Sequence, residues 1–328
     1  MNDEHLGNPN DLIPLVAVIG PTGVGKTALG VELAQTYDGE IVSVDSRQFY
    51  RYMDIGTAKP TPAELAAARH HLVDFADPDE TVGLAQFLQL ARAAIREIAT
   101  RERLPILVGG TGQYFRALLR GWQVPNVPPD PELREELERA AENDPEGLWD
   151  RLMALDPDAE AFIHPNNLRR VIRALEVTLK SGVPFSELRR RVPPPYHVLK
   201  IGLTMDRDAL YARVDARVDA MVAQGLVEEV KSLLERGYSW EIPAMSGLGY
   251  IQFRPYLEGE ASLEDVIERI KLDTHDFIRR QYTWFRPTSP DVHWLDASDP
   301  DHVTKAKLLV AEFLSTTDAG TVGRDREH

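Results

Sequence analysis

The chain has 328 residues, 43% of them hydrophobic and 27% charged, with a formal net charge of −15. That length suits two domains better than one, and the composition excludes collagen-like, low-complexity and wholly disordered chains. With no cysteine, disulfides, thiolate metal sites and thiol nucleophiles are excluded together.

From Met1 to Asn10 no basic stretch precedes an apolar one, so no targeting signal is read there. The apolar run at residues 12–19 holds a proline and falls short of the ~18 residues that cross a bilayer. The expectation is a cytoplasmic protein with no membrane association and no obligate protein partner. Residues 15–19 form a continuous apolar run, as in a strand buried on both faces of a parallel sheet. A glycine-rich turn follows, then a helical pattern with Leu29 and Leu33 one turn apart. Residues 40–45 read as a second strand and residues 72–75 as a short third. Leu84, Phe87, Leu88, Ala91, Ala94, Ile95 and Ile98 keep helical spacing. Residues 105–108 give another buried strand, ending in Gly109-Gly110. Such alternation implies right-handed crossovers and a parallel sheet.

From Gly121 the pattern changes. Pro125, Pro128, Pro129 and Pro131 form a linker, and helices without strands continue to Arg191. One helix starts near Asn166 and Asn167, carries Leu168, Val171, Ile172 and Leu175 on one face, and stops at Gly182 with Pro184 beyond. Residues 128–160 hold 12 acidic against 3 basic residues, a net of −9, while residues 164–200 hold 8 basic against 2 acidic, a net of +6. A polyanion responds to the local charge, screened within about 8 Å, so the acidic total excludes only a nonspecific nucleic-acid coat. After Pro193-Pro194-Pro195, residues 197–205 resume a strand pattern, and Asp206 caps a long helix expected to reach Arg236. The predicted fold class is α/β: a P-loop parallel-sheet core with an α-helical insertion domain. Residues 1–120 open the core, 121–195 form the insertion, 196–315 return to the core, and 316–328 make a flexible tail.

Gly20-Pro21-Thr22-Gly23-Val24-Gly25-Lys26-Thr27 fits the G-x-x-x-x-G-K-[ST] pattern, directly after a buried strand and opening a helix. Glycines let backbone N–H groups converge on a phosphate, the helix N-terminus adds a favourable dipole, and Lys26 adds a charge. Thr27 offers a hydroxyl to Mg²⁺. Most such loops hold a nucleoside triphosphate and have an aspartate closing another strand, yet residues 106–108 run into Gly109-Gly110-Thr111 without a carboxylate. The strand at residues 41–44 does end in an acid, Asp45, at the edge where a parallel sheet binds ligands. Asp45 reads as a metal ligand or general base, or as a helix cap for Ser46 onward. Arg213 and Arg217, four apart among small apolar neighbours, invite an anion such as a diphosphate, a tertiary ion pair or solvent.

These residues resemble the tRNA dimethylallyltransferases, or isopentenyltransferases. The resemblance is carried by the loop at 20–27, by Ser43-Val44-Asp45-Ser46-Arg47-Gln48, by Met53-Asp54-Ile55-Gly56-Thr57-Ala58-Lys59-Pro60, and by Gly109-Gly110-Thr111-Gly112 with Tyr114. His164-Pro165-Asn166, Arg173-Ala174-Leu175-Glu176, the Arg213–Arg217 helix and Thr283-Trp284-Phe285-Arg286 extend it over residues 14–296. It implies transfer of a dimethylallyl group from dimethylallyl diphosphate to the exocyclic amine of the adenosine 3′ of the anticodon, at position 37. Residues 20–27 with Arg213 and Arg217 would then hold a prenyl diphosphate, Thr27 would help bind Mg²⁺, and Asp45 would take the amine proton. Asp45, Arg217 and Thr22 are the implied catalytic groups. Asp45, Ser46, Arg47, Gln48 and Thr111, with Arg134, Arg169, Arg170, Arg173 and the 167–171 segment of the insertion, are the implied contacts to the tRNA anticodon stem-loop. The basic run Arg189-Arg190-Arg191 is a further RNA candidate. Two positions depart from the family pattern: Ile251-Gln252 follows Gly249-Tyr250 where a basic residue is usual, and His275 follows Thr274 where arginine is usual, with Arg279, Arg280 and Gln281 retained. The competing readings are an ATP-dependent small-molecule kinase acting on a nucleoside or nucleotide, which would use the loop and Asp45, and a non-catalytic RNA-binding or nucleotide-sensing module.

Overall fold

The computed structural model describes residues 12–125, 127–189 and 191–322. Met1 to Asn10, Arg190 of the basic run, and residues 323–328 lie outside the described residues. The chain runs β1 (Ile13–Ile19), α1 (Lys26–Thr36), β2 (Gly39–Val44), α2 (Pro62–Ala67), β3 (His70–His71), α3 (Leu84–Thr100), β4 (Leu104–Gly109), α4 (Gly112–Leu119), α5 (Pro131–Asn143), α6 (Pro145–Leu155), α7 (Leu168–Ser181), α8 (Phe185–Leu188), β5 (Tyr196–Thr204), α9 (Arg207–Ala223), α10 (Leu226–Glu235), α11 (Arg254–Leu257), α12 (Leu263–Trp284), β6 (His293–Asp296) and α13 (His302–Val322). Two compact units emerge. One gathers Met1–Gly83, Gln89–Arg116 and Pro195–His328, and the other Leu84–Leu88 with Ala117–Pro194.

The first unit is built on a parallel sheet in the order β3-β2-β4-β1-β5-β6. Its central strands are buried on both faces, which is why they read as unbroken apolar runs. Val16, Val18, Ile106, Ile201 and Leu203 pack with Leu33 of α1 and Val310 of α13, each buried aliphatic side chain contributing about 1.5–3 kcal/mol. Because the strands run parallel, their carboxyl ends share one edge. The register pairs Val18 with Val108 and Val44 with Gly109, so the residues that follow β1, β2 and β4 emerge side by side.

Three sequence expectations are corrected. The third strand is His70–His71, not residues 72–75. Leu72 and Asp74 adopt positive φ of 61° and 55°, which turns the chain out of the sheet, and Phe75 and Ala76 bond to Phe49 O instead. The helix expected to run to Arg236 breaks at Gly225, whose φ of 104° ends α9 and starts α10. At the other end of the chain, the backbone of α13 continues to Val322, so the first part of the tail expected to fray is helical.

The second unit is helical among its described residues, apart from one antiparallel bridge between Trp122 and Arg191. Asp130 and Asp144 cap α5 and α6, Asn167 caps α7, and Gly182 ends α7 at φ 69°. Leu137, Leu148, Leu152, Val171 and Leu175 form its core. One carboxylate crosses that core. Glu176 is fully buried and accepts from Arg134 Nε and Nη2 at 2.8 and 2.9 Å, from Arg173 Nη1 at 2.5 Å and from the Asp130 N–H at 2.8 Å. Burial pushes its carboxyl up, but the Arg134 fork, the Asp130 amide and Arg173 outweigh this and hold it below the usual range. Glu176→Ala is expected to destabilise this unit by about 3 kcal/mol in urea unfolding, because it strands a buried ion cluster. In the wild type the contribution should be present above the ordinary carboxylate pKa and be lost as pH falls through the depressed one.

Candidate active site

The glycine-rich loop follows β1 directly. Gly25, at φ 104°, is the N-cap of α1, a conformation that only glycine adopts without strain. It turns the first amides of α1 and their dipole toward the space above the loop. Lys26 Nζ donates to the Pro21 carbonyl at 2.6 Å. Burial drives its ammonium down to about 8, Asp45 works against the shift, and Arg217 adds to it. Gly20, Pro21 and Val24 are buried beneath the loop, whereas Thr22, Gly23, Gly25 and Thr27 open onto a cavity with Lys26.

Arg217 reaches this loop from α9, its Nη2 donating to the Thr22 hydroxyl at 2.9 Å. Among the described residues, its buried Nε has no hydrogen-bond partner. Burial lowers the Arg217 pKa, Asp45 opposing and Arg213 reinforcing the shift. Arg213, one turn earlier, is exposed and lines the same cavity. Of the readings the sequence left open for this pair, a tertiary ion pair is absent among the described residues.

Asp45 stands one residue past β2. Its Oδ1 accepts the Arg47 N–H at 2.9 Å, so it closes a tight turn, and no helix starts at Ser46. Thr111, just past β4, accepts the Ser46 N–H on its hydroxyl at 3.2 Å and donates its own N–H to Val44 O. Gln48 bonds Ser43 and the Ala58 carbonyl. Two further side chains complete the frame: Gln281, read from the sequence only as a residue retained from the family pattern and given no role, and Glu229, which sequence reasoning missed. Gln281 of α12 accepts the Thr22 N–H at 2.8 Å and donates to Gly110 O at 3.0 Å. Glu229 of α10 accepts three successive N–H groups, from Asp54, Ile55 and Gly56 at 2.8, 2.8 and 3.1 Å, and the Tyr250 hydroxyl at 2.7 Å.

Two cavities meet here. One, of about 560 Å³, lies over the loop and reaches Lys26, Thr27, Gln48, Lys59 and Arg213. The other, of about 680 Å³, is walled by Ser46, Arg47, Thr111, Met221, Phe277 and Trp284. Thr22, Asp45, Thr57, Ala58 and Arg217 line both. The expected catalytic and loop residues are thus brought together in the first unit. Arg134, Arg169, Arg170 and Arg173 belong to the second. There Arg134 and Arg173, 38% and 32% exposed, both pair with the buried Glu176. Val171 is fully buried, while Asn167, Arg169 and Arg170 are exposed. Arg189 lies over the rings of Phe162 and Trp122, at 4.3 and 5.9 Å from their centroids. The two departures from the family pattern are used internally: Gln252 links the Gly249 N–H to Asp273, and His275 Nε2 meets Asp215 at 2.8 Å with its ring stacked on Tyr211.

Comparisons with known proteins cover most of the chain. The IPP transferase family model matches residues 48–288. The chain belongs to the IPP transferase family. It is 58% identical over 304 residues to the tRNA dimethylallyltransferase of Roseiflexus sp. (strain RS-1), covering 92% of this chain and 99% of that one. It is 57% identical to the tRNA dimethylallyltransferase of Chloroflexus aurantiacus, covering 88% of this chain and 96% of that one. Among solved structures, the full-length tRNA isopentenylpyrophosphate transferase of Bacillus halodurans superposes with a TM-score of 0.70 at 41% identity, covering 93% and 98% of the two chains. A eukaryotic dimethylallyltransferase acting on tRNA gives a TM-score of 0.80 at 30% identity, covering 93% and 80%.

The lowered pKa of the Lys26 ammonium predicts that anion binding over the loop is proton-linked. A bound diphosphate stabilises the charged form, so inorganic pyrophosphate should take up about half a proton at a pH near 8 on binding. Affinity should fall as pH rises through that value. Calorimetry in buffers of different ionisation enthalpy measures both.

Proposed function

We propose that this chain is a tRNA dimethylallyltransferase, moving the dimethylallyl group of dimethylallyl diphosphate to the exocyclic N⁶ amine of adenosine 37, 3′ of the anticodon. The observation that carries this reading is the shared wall of the two cavities, where one carboxylate, Asp45, stands beside a cationic phosphate cradle. The diphosphate occupies the cavity over the loop, held by the loop amides, Lys26, Arg213 and Arg217. The adenine enters from the other cavity, out of the anticodon-loop stack, as enzymes acting on a base require.

The amine lone pair is delocalised into the purine ring, so it is a weak nucleophile. As N⁶ bonds the allylic carbon, the carbon–oxygen bond to the diphosphate breaks and its electron pair leaves on oxygen. Asp45 takes the amine proton, a contribution of about 10²–10⁴-fold. Lys26, Arg217 and the loop amides stabilise the charge that grows on the leaving oxygens. Among the described residues no three histidine or acidic side chains gather into a metal cage, but Thr27 and Asp45 line the loop cavity together. That donor set suits Mg²⁺, which keeps several waters and shares phosphate oxygens. When bound it supplies further neutralisation of the diphosphate, with Thr27 as its protein ligand. Ser46, Arg47, Gln48 and Thr111 meet the RNA around the flipped base. Arg169 and Arg170 extend the grip from the second unit, while Arg134 and Arg173 support it by ordering α7. No described helix is long and apolar enough to cross a membrane, consistent with work on a tRNA in the cytoplasm.

The test is incubation of the wild type with unmodified tRNA and dimethylallyl diphosphate, followed by nucleoside analysis. Isopentenyladenosine is expected. Phosphoryl transfer from ATP to a nucleoside with no prenylation would instead establish the kinase reading. Asp45→Ala should lower turnover by about 10²–10⁴-fold with unchanged melting, and wild-type turnover in that variant would remove Asp45 from the chemistry.

A further inference from the structure

Gln281 is 4% exposed on the inner face of α12, and its single amide spans two loops that are far apart in sequence. Oε1 accepts the N–H of Thr22 in the phosphate loop, and Nε2 donates to the carbonyl of Gly110 after β4. The fit is close: any side chain on Gly110 would collide with Gln281 Nε2. Thr22 is gripped a second time through its hydroxyl by Arg217. Beyond Gly110, the neighbouring Thr111 holds the Ser46 amide beside Asp45. A continuous path therefore runs from Thr22 through Gln281, Gly110 and Thr111 to Ser46, joining the loop over β1 to the acid after β2.

We propose that Gln281 is a positioning residue for prenyl transfer, setting the distance between the Thr22–Arg217 pair at the leaving diphosphate and Asp45 at the amine; this rests on the reading of the site given above. The Thr22 N–H is committed to Gln281, so the diphosphate draws on the later amides of the loop. The role needs one acceptor and one donor on a side chain of this length. A carboxylate of the same shape would accept from Thr22 but set oxygen against the Gly110 carbonyl. The same group once protonated would restore both bonds, since a carboxylic acid has an O–H donor and a carbonyl acceptor.

Q281E and Q281M test this. Displacements of about 1 Å in a reacting pair cost on the order of 10²-fold, so both variants should lose about that much kcat near pH 8. Their affinity for inorganic pyrophosphate, read by calorimetry, should stay close to wild type, as should their melting temperatures. A Q281M variant with wild-type kcat overturns the proposal. So does a loss of pyrophosphate affinity that matches the loss of kcat, which would assign Gln281 to holding the loop for binding alone. A wild type that transfers no prenyl group would overturn the reading of the site, a separate outcome from equal turnover in the variants.

Discussion

The constraint on which this molecule turns is an excess of positive charge held at the carboxyl edge of a parallel sheet. Lys26 and Arg217 are both pushed down by burial and by cationic neighbours, and Asp45 offsets this only in part. Among the described residues the buried Arg217 Nε has no acceptor. Gathering cations in a partly desolvated place is unfavourable unless an anion completes it. Folding alone gains nothing from the arrangement, and the surrounding structure exists to keep it. The helix bearing Arg213 and Arg217 is tied to α12 by Asp215 with His275 and by Asp219 with Lys271, at 2.8 and 2.7 Å. Through α12 it is tied to Gln281 and so back to the phosphate loop.

The segment from Met53 to Pro60 shows the same economy on the opposite wall. It has no regular secondary structure, so its backbone polar groups need partners from elsewhere. Glu229 satisfies three of its amides, Gln48 its Ala58 carbonyl, and Lys59 is buried against Asp54, Asp74 and the Tyr50 carbonyl. Ala58 sits at φ 49°, where a non-glycine residue is held only by its surroundings. Thr57 and Ala58 can therefore line both cavities without backbone freedom of their own. An irregular loop has become as determined as a strand, because side chains distant in sequence take the role of a ladder.

What was legible in the sequence was whatever is local. The phosphate loop, the acid at the end of β2, the strand–helix alternation and the capping of α7 are each written within a few residues, and each is placed as read. What was not legible depends on long-range partners. Gln281 lies 259 residues from the amide it accepts and Glu229 about 175 from its own, and no spacing rule connects them. The reading of Arg134 and Arg173 as RNA contacts did not include their pairing with Glu176. The signal for that pairing was present in Glu176, an acid inside the apolar stripe of α7 and three residues from Arg173, which is where a buried carboxylate needs guanidinium partners. The false strand at residues 72–75 shows the converse limit, since left-handed conformations at Leu72 and Asp74 leave no mark in hydrophobic patterning.

A phosphate loop specifies charge, and not which bond breaks. In phosphoryl transfer the loop steadies a phosphorus centre under attack, and the supporting carboxylate works on that side through metal or water. Here the acid that faces the loop belongs equally to a second cavity, whose far wall carries Phe277 and Trp284. Under the proposed function, a nucleophile entering from there would meet Asp45 before the phosphates, and the group it could reach would be whatever the diphosphate carries. The same cradle then stabilises a departing diphosphate in place of a transferring phosphoryl group, because in both cases negative charge accumulates on the oxygens it holds. The change of chemistry requires no new cation. It requires the carboxylate to stand between two openings, which is what the emergence of β1, β2 and β4 side by side provides.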